Sequence, residues 1–166
     1  MTRMIALLLL SAAALSAYGQ ASAATTSKPN LTGTWIYDAK KSVLKIPGPT
    51  SMTLQIDQTD PNISFARTQT YGDQNFDWKL QAATDGQKDV EETSPMGVTT
   101  VTHVSWQGNA LVLDQKISAT DGTKINDVVT YTLEDNGSTL TATEKQTAEH
   151  GKGATVNKWV YDRKAQ

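Results

Sequence analysis

The sequence predicts an all-β fold, an antiparallel up-and-down meander of about ten strands that closes into a barrel. Three observations carry this. Apolar residues recur at period two through almost every segment after Leu31, as half-buried strands require. Turn-forming pairs punctuate the chain at an even pitch, with Asp85-Gly86, Asp121-Gly122 and Asn136-Gly137 the strongest hairpin signals. No segment carries an amphipathic helical stripe of useful length.

The elements follow in order. Leu31 to Tyr37 reads as a first strand. Asp38 can cap a single helical turn through Ala39, Lys40 and Lys41, and Pro47-Gly48-Pro49 would end it. In the next run Met52, Leu54 and Ile56 share a face. Ile63, Phe65 and Tyr71 align after it, then Phe76, Trp78, Leu80 and Ala82. Val98, Val104 and Trp106 share one face of the following run, and Leu111, Leu113 and Ile117 one face of the next. Ile125, Val129, Tyr131 and Leu133 continue the pattern. The last run sets Val156 and Val160 on one side and Trp159 and Tyr161 on the other. A meander this long must manage its edges, and closure does so completely. An open twisted sheet or a sandwich remains the alternative.

Composition places the chain in a class. It has 166 residues, enough for one domain. Arg3, the apolar run Ile5 to Leu15 and the small residues Ala21-Ser22-Ala23 read as a cleavable export signal over 1–23, too short to span a bilayer. A polar leader covers 24–30, and one barrel domain covers 31–164. Export predicts a periplasmic or extracellular protein without stable membrane insertion. Without Arg3, 14 basic residues face 17 acidic ones, a mild, mixed charge that gives no reason to bind nucleic acid. Cysteine is absent, so burial and backbone pairing must supply the stability.

The first strand contains Gly33-Thr34-Trp35, and the last ends Trp159-Val160-Tyr161-Asp162-Arg163. A Gly-x-Trp on the first strand, a short turn and a meander resemble the amino-terminal signature of the lipocalins and fatty-acid-binding proteins. That resemblance implies that Arg163 packs over Trp35, beside Gly33, and closes one end of the barrel. The run Asp38-Ala39-Lys40-Lys41-Ser42 after Gly-Thr-Trp resembles a group of small secreted bacterial calycin-type barrels. So do the turn Trp106-Gln107-Gly108-Asn109-Ala110-Leu111-Val112 and the hairpin Leu133 to Leu140. The chain departs from secreted lipocalins in lacking their disulfides and a carboxy-terminal helix, and its strand count is nearer the fatty-acid-binding layout. Ligand preference does not carry over.

Catalytic signals are missing. The two histidines, His103 and His150, have no spacing with carboxylates that suggests a metal site, and no serine sits in a nucleophile elbow. The chain is read as a non-enzyme without metal or cofactor. Polar residues on apolar faces are the informative ones. Arg67 and Gln69 follow Ile63 and Phe65 in register, Gln115 follows Leu111 and Leu113, Asp127 lies between Ile125 and Val129, and Glu144 follows Leu140 and Ala142. If register holds, they point inward, where charge is costly unless paired or solvated. Arg67 would then grip a ligand carboxylate. Tyr71, Trp78 and Tyr131 would form the wall, with Glu144 beside them. A bulge that flips the register, or a place at the wet rim, is the competing explanation. The four tryptophans read as core before they read as ligand platform. The functional expectation is a binder of a small hydrophobic or amphipathic ligand. The alternative is an inhibitor or accessory subunit that uses the barrel as a rigid scaffold.

Overall fold

Ten antiparallel strands form one continuous sheet in the computed structural model, which describes residues 28–149, 151 and 153–165. The expected export signal over 1–23, most of the polar leader and His150 lie outside the described residues. The strands are β1 (Gly33–Tyr37), β2 (Ser51–Thr59), β3 (Asn62–Tyr71), β4 (Gln74–Ala83) and β5 (Val90–Thr93), followed by β6 (Thr99–Gln107), β7 (Ala110–Ser118), β8 (Lys124–Glu134), β9 (Thr139–Ala148) and β10 (Ala154–Arg163). Each neighbour in sequence is a neighbour in the sheet except at one place. β1 pairs with both β2 and β10, which curls the meander back on itself. β4 and β5 are the two sheet edges, and an isolated bridge joins Asp85, in the link after β4, to Ser105 on β6. The barrel is therefore nearly closed, with a seam between β4 and β5.

The alternation written in the sequence is the alternation of burial. Met52, Leu54 and Ile56 are buried while Thr53, Gln55 and Asp57 are exposed. Tyr161 is buried and Val156 exposed on the last strand. Pairing along β3 and β4 runs unbroken from Asn62↔Ala83 to Tyr71↔Gln74, so no bulge flips the register there. The pairing of β7, β8 and β9 is likewise continuous. Two apolar residues are not buried as the alternation leads one to expect. Phe76, near the start of β4, is exposed and meets Tyr71 edge-on, and Val98 lies in the turn before β6.

The link after β1 is a single hydrogen-bonded turn. Asp38 Oδ1 accepts from the backbone N–H of Lys40 and Lys41, and Ser42 N–H donates to the Asp38 carbonyl at 3.1 Å. Pro47-Gly48-Pro49 leaves no room to extend it, because proline supplies no backbone donor. The 3-10 turn among the described residues spans Asp135–Gly137 between β8 and β9, where Asp135, Asn136 and Gly137 all take positive φ. That is the backbone an Asp-Asn-Gly turn accommodates.

Arg163 seals one end. Its guanidinium lies 4.1 Å above the Trp35 ring, Nε donates to the Gly137 carbonyl at 2.7 Å and Nη1 to the Thr32 carbonyl at 2.6 Å. Trp35 is fully buried and donates its indole N–H to the Leu31 carbonyl. Gly33 makes the approach possible, since a Cβ there would sit 2.5 Å from Arg163 Nη1. Leu31, Trp35, Leu54, Ile56, Phe65, Leu80, Val104, Leu111 and Leu140 fill the interior as one apolar cluster.

Candidate functional site

The inward face changes character along the strands. β3 runs from Ile63 and Phe65 to Arg67 and Gln69, β7 from Leu111 and Leu113 to Gln115, and β9 from Leu140 and Ala142 to Glu144 and Gln146. Traced against its own direction, β8 passes from Tyr131 through Val129 to Asp127, and β10 from Tyr161 through Trp159 to Asn157. Register aligns these changes. Gln115, Asp127 and Gln146 are directly opposed across β7, β8 and β9, and Val129, Glu144 and Asn157 form the adjacent row. The result is a polar belt above an apolar floor.

That belt borders a cavity of 360 Å³, within the range of small-ligand pockets. Arg67, Tyr71, Trp78, Tyr131 and Glu144, the residues singled out from sequence, all line it. So do Gln69, Gln115 and Asp127. Gly33, Trp35 and Arg163 sit together at the sealed end instead. The tryptophans divide by role. Trp35 is core, Trp106 packs against the core cluster half-buried, and Trp78 and Trp159 face the cavity.

Sequence reasoning missed three contributors. Gln146 lies one alternation beyond Glu144, so extending the period would have found it. Asn157 shares the face of Trp159 and Tyr161 and is fully buried. Ile46 reaches the cavity from the irregular link after β1, where no periodicity signals which way a side chain points.

The polar groups are unevenly satisfied. Glu144 is well held: Oε2 accepts from Asn157 Nδ2 at 2.7 Å and from Trp159 Nε1 at 3.0 Å, and Oε1 accepts from Gln146 Nε2 at 3.2 Å. Asn157 is itself anchored, its Oδ1 accepting from the Lys45 N–H at 2.8 Å. Gln115 donates to Thr102 Oγ1. Asp127 is different. Oδ2 accepts from Gln146 Nε2 at 3.3 Å, while Oδ1 is buried without a partner. Arg67 lies 5.0 Å over the Trp78 ring, and its Nε is also buried without a partner. Among the described residues, no ion pair joins Arg67 to Asp127 or Glu144.

Burial raises the Asp127 carboxyl to about 6, with the nearby Glu144 charge adding to the rise, while Gln146 and Arg67 hold it down. Burial also pushes the Tyr131 hydroxyl up to about 12, so it stays a neutral phenol at physiological pH. His103 faces away from the cavity and pairs with Asp89 at 2.8 Å. No group of three His, Asp or Glu side chains among the described residues could hold a metal ion.

No family model matches the chain, and no curated protein matches it in sequence. Solved structures do match in fold. Lipid binding protein 8 of Caenorhabditis elegans is 14% identical, with a TM-score of 0.55 over 81% of this chain and 95% of that one. Fatty-acid-binding protein 1 of Echinococcus granulosus is 13% identical, with a TM-score of 0.52 over 81% of this chain and 97% of that one. Secretory abundant heat soluble protein 4 from Ramazzottius varieornatus is 15% identical, with a TM-score of 0.52 over 84% of this chain and 98% of that one. At these identities the likeness is one of fold alone: the chain shares the up-and-down β-barrel architecture of these proteins.

Proposed function

We propose that this chain is an exported lipocalin-like binding protein that takes a small amphipathic molecule into the barrel. The apolar part of the guest packs against Trp78, Tyr131 and Trp159, and its polar end meets Arg67 and the belt of β7, β8 and β9. One observation carries the reading. A 360 Å³ interior space is walled by aromatic rings yet contains a buried donor, Arg67 Nε, and a buried acceptor, Asp127 Oδ1, that the protein itself leaves unmet. A buried polar group without a partner costs about 1–3 kcal/mol, and a bound guest would recover part of that. The fold neighbours include proteins described as binding lipids or fatty acids, which supports the same class of guest without naming it.

Native mass spectrometry of the purified protein, with titration of the fluorescent amphipath 1-anilinonaphthalene-8-sulfonate, tests this. The expected result is a retained small molecule or saturable probe enhancement, weakened about tenfold in Arg67→Ala, the scale of one charged hydrogen bond. The absence of both a retained molecule and saturable enhancement would sink the reading.

A further inference from the structure

The chemistry of the guest's polar end follows from which belt groups remain open. Glu144 already receives three N–H donors from Asn157, Trp159 and Gln146, so it is committed to the wall. Gln146 is committed as well, since it donates to both Glu144 and Asp127. Two charged groups are left. One is the Arg67 guanidinium on β3, 5.0 Å over the Trp78 ring, with its Nε unmet. The other is Asp127 Oδ1 on β8, in a side chain only 6% exposed. They come from opposite halves of the meander and line the same space without touching each other in an ion pair. Had they been meant to neutralise each other, contact would be the inexpensive arrangement, because separated buried charges each keep their desolvation penalty.

A plain carboxylate satisfies only half of this. It would meet Arg67 but bring an anion towards Asp127 and Glu144, leaving Asp127 Oδ1 unmet. A plain amine has the converse fault and strands Arg67. Both open groups are answered by a head that carries an anionic acceptor beside a cationic donor. Resting on the ligand-binding reading above, we infer that the barrel takes an amphipath with an α-amino-acid-like zwitterionic head, its carboxylate on Arg67 and its ammonium on Asp127, in preference to a simple fatty acid. Such a head differs from the lipid and fatty-acid guests for which the fold neighbours are named.

Competitors of equal chain length separate the possibilities. Dodecanoate, dodecylamine, dodecanol and 2-aminododecanoate would each displace 1-anilinonaphthalene-8-sulfonate from the purified protein near pH 8, where Asp127 is ionised. The amino acid should compete at least about tenfold better than each of the other three, the scale of one additional charged hydrogen bond. Asp127→Asn should shrink its advantage over dodecanoate to within about threefold, and Arg67→Gln should do the same to its advantage over dodecylamine. Dodecanoate binding as tightly as the amino acid in the unmodified protein would overturn the head assignment and leave the binding reading standing. So would an advantage over dodecanoate that Asp127→Asn leaves unchanged. Failure of the probe and of all four competitors would overturn both.

Discussion

Replacing Asp127 with Asn should stabilise the protein, and should do so only at the pH where the carboxyl is charged. The side chain is buried with one oxygen unmet, and its carboxyl is raised from 3.8 to about 6 by burial first and by Glu144 second. A carboxyl that binds its proton more tightly in the folded state makes folding take up a proton, so stability falls as pH rises through that window. Below about pH 4 both states are protonated and Asp127 contributes nothing; above about pH 6 the whole penalty is present. The rise corresponds to ~3 kcal/mol by linkage, and solvent reaching the cavity reduces the expectation to ~1–2 kcal/mol. Asn keeps an oxygen that can accept from Gln146 and carries no charge. Urea unfolding of both proteins near pH 8 and near pH 4 reads the difference directly. The midpoint of the variant should rise by ~0.5–1 M at the higher pH and match the parent's at the lower. Carboxylates remote from Asp127 titrate alike in both chains and cancel. A variant less stable than the parent near pH 8, or a gain of equal size at both pH values, would refute the claim that a buried, unmet charge at this position costs stability.

The remaining predictions address the sealed end, the belt and the pH response. Arg163→Ala removes two hydrogen bonds to carbonyls and a cation over Trp35, and should cost about 3 kcal/mol in urea unfolding. Gly33→Ala forces a Cβ onto Arg163 Nη1 and should cost about 2 kcal/mol alone. It should cost distinctly less in the Arg163→Ala background, and strict additivity in that double-mutant cycle would contradict the steric account. Trp159→Phe takes one donor from Glu144 while leaving Asn157 and Gln146 in place, for an expected loss of about 1–2 kcal/mol by thermal or urea unfolding. An anionic probe such as 1-anilinonaphthalene-8-sulfonate should bind several-fold tighter near pH 5 than near pH 8, because protonation removes the Asp127 charge. The groups around Asp127 are Glu144 on β9, Arg67 on β3 and Tyr131 on its own strand, with Gln115 and Gln146 neutral on either side. Asp127→Asn should flatten that pH profile, and a profile unchanged in the variant would place the titrating group elsewhere.

Much of this barrel was legible because a strand's side chains obey a single rule. Once Leu111 and Leu113 are set inward, Gln115 follows, and the pairing Gln115↔Asp127↔Gln146 shows the rule holding across three strands. Arg67 could be placed for the same reason, as no bulge interrupts β3. What the rule cannot supply is distance. It puts Arg67, Asp127 and Glu144 inside, but it does not say that Glu144 would be claimed by Asn157 and Trp159 while Arg67 and Asp127 stay apart. Those outcomes depend on barrel stagger and on rotamers set by packing from both halves of the meander. Ile46 was illegible for another reason, because the link between β1 and β2 has no period to read. The seam escaped notice since β4 and β5 are separated by turn residues like every other pair, and only the closure elsewhere shows that these two edges stay unpaired.

The two ends of the interior solve opposite problems with similar residues. At the sealed end Arg163 is a half-buried cation whose needs are met by Trp35 and two backbone carbonyls, so it ties β10 to β1 and to the turn after β8. At the belt Arg67 also lies on a tryptophan, yet it finds no acceptor, and Asp127 finds no second donor. A chain free to optimise stability alone could fill these positions with Leu or Val and extend the apolar floor, since replacing a buried charged set by packed hydrophobes is often stabilising. It does so on β2, where Met52, Leu54 and Ile56 run apolar throughout. On β3 the inward series stops being apolar at Arg67, and on β8 it does so at Asp127, both at the cavity wall. That coincidence of unmet polarity with unfilled volume is what a binding site requires and a purely structural core does not.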